Sequence, residues 1–226
     1  MRTEEGRESG MDEVEGAVQA RMRADTYRFL AQSLKEPPSS DLACLFLEEN
    51  PDMASVLGFD GALSGDAFAQ VLVDIAADYN RLFLGMGPDP IAPYESVHTS
   101  PERLLMQDAR DEVLACYRAF GVAVEANDGR PEDHIAFELG FMCHLCEEQA
   151  TALAVGMYDK AEDFADAERA FLSDHLMRFA DAVSSSLGSR ARTRYYQAVG
   201  EVLASFMDEE RALFGISGSE RAPYAL

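Results

Sequence analysis

The sequence has little positive charge, and it has no long apolar run. Its 19 lysines and arginines stand against 41 aspartates and glutamates, for a formal net charge of −22 at pH 7. Such an acidic surface repels phosphate backbones and anionic lipid, which disfavours nucleic acid and membrane surfaces as partners. No stretch approaches the roughly 18 apolar residues of a membrane span. The acidic N-terminus also lacks the basic and apolar regions of a secretory signal, so we expect a cytoplasmic protein.

Common catalytic and phosphate-binding motifs are also missing. Lysine occurs only at Lys35 and Lys160, and no G-x-x-x-x-G-K-[ST] segment occurs, which excludes a P-loop. The metalloprotease pattern H-E-x-x-H is absent. A di-iron bundle needs Glu-x-x-His on two helices, but this spacing occurs only at Glu95 and His98, in a proline-rich loop. Enzymatic chemistry therefore has no evident site, and we expect a protein that is not an enzyme.

Apolar residues recur at helical spacing almost throughout, and no run alternates in the manner of a hairpin strand. This pattern predicts an all-α fold, a compact helical bundle. The predicted helices cover residues 13–35, 40–50, 64–85, 100–120, 131–155, 160–187 and 190–214. On the first helix, the residues expected to share the buried side are Val14, Val18, Met22, Phe29 and Leu30.

The helices should form a single domain over residues 13–214. We expect residues 1–12 to be disordered and residues 215–226 to form a tail. The segment from Asn127 to Arg130 carries Asn-Asp-Gly turn chemistry and precedes a proline, so it is a candidate hinge.

The C-x-x-C motif at residues 143–146 is compatible with either a metal site or ordinary core packing. The metal interpretation, a small helical metal-binding protein or metalloenzyme, would use one histidine, one glutamate and two thiols: His134, Glu138, Cys143 and Cys146. Side chains follow one another at about 100° around a helix. A narrow apolar arc then comprises Ile135, Leu139, Met142 and Cys146, with Cys143 at its margin. This arrangement favours packing, and the metal interpretation is kept as the alternative.

Two polar segments are not explained by packing. One is "PYESVH", residues 93–98, and the other is "PEDH", residues 131–134. Acidic residues in the first turn of a helix complement its dipole, which accounts for Glu132 and Asp133. A cationic His134 at that position would be unfavourable, although Glu138 one turn later compensates. Both a capping role and a functional role are open for this segment.

Three segments in order carry a family resemblance: "DYNRLFLGMGPDPIAPYESVH", "RPEDHIAFELGFM" and "FLSDHLMRFADAV". Together they resemble the TorD/DmsD/NarJ family of redox-enzyme maturation chaperones, over about residues 24–207. The resemblance implies an all-helical, cofactor-free chaperone in the cytoplasm. Such a protein binds the twin-arginine signal peptide and the apo form of a molybdopterin-dependent oxidoreductase subunit, and delays export until the cofactor is inserted. It also implies a monomer that can form domain-swapped dimers.

The resemblance and the chemistry of the peptide together predict a binding surface. A cationic and apolar peptide calls for carboxylates beside an apolar wall. The predicted surface comprises Tyr79, Leu82, Phe83, Pro93, Tyr94, Glu95, Ser96, Glu132, Asp133 and His134. The chain departs from the family pattern in having Arg130 where an acidic residue is common, and in having no tryptophan.

Overall fold

The computed structural model describes residues 4–49, 51–59, 65–123 and 128–217. Within these ranges the regular structure is helical and includes no β-strand, so the predicted all-α class is confirmed. The α-helices are α1 (Glu4–Lys35), α2 (Ser40–Glu49), α3 (Met53–Val56), α4 (Gly65–Phe83), α5 (Glu95–Thr99), α6 (Asp108–Ala119), α7 (Ile135–Ala154), α8 (Tyr158–Asp174), α9 (Ala180–Arg190) and α10 (Arg194–Phe214). A 3₁₀ turn, Leu176–Arg178, joins α8 to α9. Across the described residues, no helix combines the length and apolarity needed to cross a bilayer.

Helix α7 lies at the centre of the bundle. It packs along α1 over most of its length and contacts α8 on another side, while α9 and α10 pack against each other. Both cysteines of the C-x-x-C motif are buried, and Cys146 belongs to the same core as Leu139 and Met142. The predicted burial of the arc residues is therefore confirmed, but the arc is not narrow, because α7 also buries Phe141 and Leu145.

Helix α1 differs from the prediction at its start and in its buried side. It begins at Glu4 and not at Glu13, so residues 4–12, which we expected to be disordered, are helical. The prediction that Val14, Val18 and Met22 are buried is wrong, because these side chains are exposed. The apolar residues that the described part of α1 buries are Ala20, Ala24, Tyr27, Leu30 and Leu34. Small alanines let α1 lie close to α7, whereas the prediction weighted side-chain hydrophobicity alone.

The predicted helix over residues 100–120 is eight residues shorter at its start. Helix α6 begins at Asp108, because Arg103 and Met106 have positive φ angles of 53° and 58° and interrupt the helical path. No helix therefore begins at residue 100. Instead the Thr99 hydroxyl donates to the carbonyl of Glu95 at the end of the short α5.

The predicted helix over residues 160–187 is divided at His175, whose backbone (φ −129°, ψ −83°) leaves the helical region. Helix α7 likewise begins at Ile135 and not at Pro131, since His134 is its N-cap. At the predicted hinge, Asn127 lies outside the described residues. Gly129 has a φ of 75°, a turn conformation that glycine adopts without strain. At the C-terminal end Gly215 caps α10, and residues 218–226 of the predicted tail lie outside the described residues.

Asp78 joins the end of α4 to the start of α10. One of its carboxylate oxygens accepts hydrogen bonds from the backbone N–H of Arg192 and of Thr193, at 2.8 Å each, and from the Thr193 hydroxyl at 2.9 Å. The other oxygen accepts from Arg81 at 2.6 Å. Burial on its own raises the pKa of Asp78, but these bonds outweigh burial and lower it below the ordinary value.

We expect Asp78→Asn to lower the free energy of unfolding by about 1 kcal/mol at pH 7, because the amide weakens charge-assisted bonds. A depressed folded-state pKa gives stability that is present above the unfolded pKa and lost as pH falls through the folded one. The difference between variant and wild type should therefore shrink in acid, which urea unfolding at several pH values would measure. Asp74→Asn, an exposed change on the same helix, is the control. Equal effects of the two changes would contradict this role.

Candidate functional site

The two polar segments singled out from the sequence lie against each other. Tyr94 and His134 form an isolated antiparallel bridge. The N–H of Glu95 donates to the carbonyl of Asp133 at 3.0 Å, and the N–H of Ile135 donates to the carbonyl of Pro93 at 2.8 Å. We refer to residues 93–96 and 132–135 together as the loop junction. Its backbone pairing holds the start of α7 against the start of α5.

Most of the predicted surface is buried in this conformation. The buried members are Tyr79, Leu82, Pro93, Glu95, Ser96, Asp133 and His134. The half-buried members are Phe83, Tyr94 and Glu132. Asp133 has 0% exposure, and one of its oxygens accepts the backbone N–H of Ser96 at 2.9 Å. The buried carboxylates therefore organise the loop junction from inside, and only the half-buried side chains reach solvent.

His134 acts as a neutral cap. Its ring Nδ1 accepts the N–H of Ala136 at 3.1 Å, which satisfies a free donor at the start of α7. Burial, followed by the nearby charge of Arg130, lowers the pKa of His134 to about 3. The unfavourable cation considered from the sequence is therefore not present at neutral pH, and Glu138 is not needed to compensate it.

Glu95 is bound by two side chains that the sequence did not assign to the site. Its Oε2 lies 3.0 Å from Nδ1 of His175, and its Oε1 accepts from Arg178 at 3.1 Å. Burial alone would lower the pKa of His175, but its bonds to Cys116 and Glu95 raise that pKa to about 9. The "FLSDHLMR" segment was the available signal, because it carries part of the family resemblance. Its partner in space is about 80 residues away in the chain and is not readable from spacing.

Glu138 is fully buried beside this cluster. In the part of the chain that the structure describes, neither of its carboxylate oxygens has a hydrogen-bond partner, and the same holds for Ser96 Oγ and Asp133 Oδ1. Burial raises the pKa of Glu138 well above its ordinary value, and the charges of Glu95 and Asp133 raise it further. The interior of the site thus brings three carboxyl groups together.

The end of α1 closes another side of the site. Tyr79 donates its hydroxyl to the carbonyl of Lys35, and Arg130 donates to the same carbonyl at 2.8 Å. Asp128 pairs with Arg130 at 3.2 Å and with Lys35 at 3.5 Å. Burial raises the pKa of both Tyr79 and Tyr94, while the charge of Arg130 lowers it and that of Asp128 raises it. The end of α4, the loop before α5 and the segment before α7 therefore meet at one place.

Glu132 is the carboxylate of the predicted surface that is not buried. It already binds a guanidinium in a fork, with Nε of Arg110 at 2.5 Å and Nη2 at 3.1 Å from its two oxygens. The hydrogen bonds from Arg110 lower the pKa of Glu132, so it is ionised at neutral pH. The arrangement shows that this position can hold an arginine side chain.

The metal interpretation is not favoured. Among the described residues, no group of three or more His, Cys, Asp or Glu side chains has a geometry that could hold a metal ion. His134 already uses its Nδ1 as a cap. Burial raises the pKa of Cys143 to about 11 and raises that of Cys146 further, which disfavours the thiolates that metals bind.

The family model and the relatives that match this chain agree with one another. A family model described as nitrate reductase delta subunit matches residues 51–185. The chaperone protein TorD of Vibrio cholerae is 28% identical over 142 residues, which are 62% of this chain and 61% of that protein. A perchlorate reductase assembly chaperone of Dechloromonas aromatica is 28% identical over 150 residues, 62% of this chain and 64% of that protein. A chlorate reductase assembly chaperone of Ideonella dechloratans is 30% identical over 146 residues, 62% and 70% respectively. The chain thus spans about three fifths of the length of the TorD protein it matches.

Proposed function

The chain belongs to the nitrate reductase delta subunit family, and from this membership we propose that it is a non-enzymatic assembly chaperone. It binds the apo form of a molybdopterin-dependent oxidoreductase subunit and the twin-arginine signal peptide of that subunit. It acts in the cytoplasm, assists cofactor insertion and delays export. The names of the relatives, which include assembly chaperones for perchlorate and chlorate reductases, support this class of client.

The observation that carries the proposal is the meeting of three chain segments that are distant in sequence. Ile91 donates its N–H to the carbonyl of Leu82 at 2.6 Å, which fixes the loop onto the end of α4. The loop junction then fixes the same loop onto the start of α7. The half-buried Phe83 and Tyr94 and the ionised Glu132 lie on these segments, and an apolar and cationic peptide requires aromatic and acidic side chains.

We assign direct peptide contacts to the half-buried residues. Phe83 and Tyr94 contact the apolar part of the peptide, and Glu132 binds an arginine in place of Arg110. The buried Glu95 and Asp133 act as positioning residues, because they hold the backbone on which Tyr94 and Glu132 stand. The net charge of −22 increases the rate at which a cationic peptide associates.

Calorimetry with a synthetic twin-arginine signal peptide tests this function. Tyr94→Ala is expected to weaken binding about tenfold, since interface aromatic residues commonly contribute more than 1 kcal/mol. Glu132→Gln should weaken binding and reduce its salt dependence, because one charge pair is no longer available for screening. A twin-lysine version of the peptide should bind more weakly, since lysine does not form the bidentate contact.

Tyr158→Ala, a change at an exposed tyrosine at the start of α8, is the matched control and should leave binding unchanged. If Tyr94→Ala and Glu132→Gln both bind as the wild type does, the proposed surface is wrong. If the wild type binds neither the peptide nor a purified apo-subunit, the proposed function itself is wrong.

We further propose that the protein is a monomer in which the segment from Asn127 to Arg130 can open as a hinge and give domain-swapped dimers. Asp128 and Arg130 tie this segment to Lys35 at the end of α1. Size exclusion with light scattering measures the dimer fraction. Arg130→Ala is expected to raise it, and an unchanged fraction would contradict the hinge.

A further inference from the structure

Three side chains from separate elements, one of them in the loop junction, contact one another in sequence. The Sγ of Cys116, on α6, lies 3.9 Å from Nε2 of His175. The other ring nitrogen of His175 lies 3.0 Å from Oε2 of Glu95, and Arg178 holds the second oxygen of Glu95 at 3.1 Å. A thiol, an imidazole and a carboxylate that orients the imidazole are the groups that activate cysteine nucleophiles.

We propose that Cys116 is a reactive thiol and a site of modification by low-molecular-weight disulfides. In the resting thiolate–imidazolium pair the thiol proton lies on His175, and the thiolate attacks one sulfur of the disulfide. A new S–S bond forms to Cys116 while the S–S bond of the reagent breaks. The leaving thiolate carries away the electron pair of the broken bond and receives the proton from His175. The inference does not depend on the proposed function.

The thiol is accessible from solvent. Cys116 is half-buried, and together with His175 it lines an open surface pocket. The charged residues around this pocket are Glu112, Asp174 and Arg178. A second, apolar recess of about 120 Å³ adjoins the thiol and is lined by the rings of Phe120, Phe141 and Phe171. A rim that carries both signs of charge suits a zwitterionic disulfide, whose carboxylates pair with Arg178 and whose ammonium groups pair with the two acids.

The surrounding charges favour a protonated imidazole. The groups that face Cys116 and His175 from the neighbouring elements are Glu95, Glu112, Tyr117, Glu138, Asp174 and Arg178. Burial alone would lower the pKa of His175, but the bonds to Cys116 and Glu95 raise it to about 9. An imidazolium beside a thiol stabilises the thiolate, which is the reactive form.

The other three cysteines serve as internal comparisons. Cys44 is also half-buried, but within the described part of the chain no hydrogen bond joins it to a histidine. Cys143 and Cys146 are buried in the core, and burial raises the pKa of both thiols. The structure therefore predicts selective reaction at Cys116.

Alkylation by iodoacetamide, followed for each cysteine by peptide mass spectrometry, tests the reactivity of the full chain. At pH 6.5 we expect Cys116 to react about tenfold faster than Cys44. As pH rises, the rate at Cys44 should approach that at Cys116, because thiolate formation in alkaline solution no longer depends on a neighbouring imidazolium. Equal rates for the two cysteines at every pH would overturn the proposal.

Two variants examine the role of the imidazole. His175→Asn should reduce the rate at Cys116 about tenfold at pH 6.5, and Glu95→Gln should reduce it less, while neither changes the rate at Cys44. Circular dichroism checks that each variant folds. If neither variant folds, the wild-type comparison of Cys116 with Cys44 decides the question alone. If a folded His175→Asn leaves the rate at Cys116 unchanged, activation by His175 is wrong.

Glutathione disulfide tests whether Cys116 reacts with low-molecular-weight disulfides. We expect one glutathionyl group on Cys116, with Cys44 unmodified over the same time, and removal of the group by a reducing agent. Cys116→Ser should abolish the adduct. A glutathionyl adduct that forms on Cys44 as fast as on Cys116 would overturn the proposed disulfide modification. It would also be overturned if Cys116 is rapidly alkylated by iodoacetamide but forms no glutathionyl adduct.

Discussion

Arg23→Met is expected to lower the free energy of unfolding by about 3–5 kcal/mol, because the change leaves two carboxylates buried without their cation. Arg23 on α1 donates to both oxygens of Glu210 on α10, at 2.6 Å and 2.5 Å. It also pairs with Glu168 on α8 at 2.7 Å. Tyr27 donates its hydroxyl to Glu210 at 2.7 Å. One guanidinium therefore links three helices in the core.

The burial of these groups explains the size of the expected loss. The side chains of Arg23, Glu168 and Glu210 are 9%, 0% and 2% exposed. Water therefore cannot replace the lost cation without opening the contact between the helices. Urea unfolding at pH 7 measures the loss, and it should become smaller in acid, where the two carboxyl groups can take up protons.

Arg21→Met provides the matched control, because Arg21 lies on the same helix and is exposed. This change should alter the free energy of unfolding by less than about 0.5 kcal/mol. The double variant Arg23→Met with Glu210→Gln should recover part of the loss, since it removes one of the two buried charges. A loss below about 1 kcal/mol for Arg23→Met would show that the carboxylates find other partners.

The helical class and the core position of the C-x-x-C motif were predictable because they depend on local periodicity. Ile135, Leu139, Met142 and Cys146 are spaced to fall on one side of a helix, and that geometry holds wherever the helix lies. The buried side of α1 was not predictable in this way. Its contact with α7 selects Ala20 and Ala24 over the more hydrophobic Val18, and this depends on how closely the two helices approach.

The sequence predicted which segments form the site, but it did not predict which of their side chains are exposed to solvent. The sequence indicated that residues 93–98 and 131–134 need an explanation beyond packing. An acidic residue in a first helical turn is commonly exposed, so Asp133 was expected to lie at the surface. The backbone of Ser96, which is 37 residues away, instead binds the Asp133 carboxylate inside the protein. A contact at such a distance in the chain leaves no periodic signal.

The buried Glu138 leads to the second large effect, a gain in stability. Glu138→Gln is expected to raise the free energy of unfolding at pH 7 by about 1–3 kcal/mol, because the folded wild type must hold a proton on Glu138 that the unfolded chain releases. Within the described residues both its oxygens lack a hydrogen-bond partner. The glutamine amide is neutral at every pH, so folding requires no proton uptake at this position.

The pH dependence of this gain distinguishes removal of a charge penalty from better packing. Burial raises the pKa of Glu138 well above its ordinary value, so the folded protein retains a proton that the unfolded chain releases. Below the unfolded-state pKa of about 4.3, Glu138 is protonated in both states and does not lower the free energy of unfolding of the wild type. That free energy falls as pH rises from there toward the folded-state pKa of Glu138. The advantage of Glu138→Gln should grow over the same range and be nearly absent at pH 4, as urea unfolding would measure. Glu112→Gln, at an exposed position on α6, is the control and should show no such trend. Glu148→Gln on α7 is a weaker control, because Glu148 pairs with Lys160 at 4.0 Å. A loss of stability in Glu138→Gln at pH 7 would mean that the ionised carboxylate is required, and that the three acids of the site share a cation.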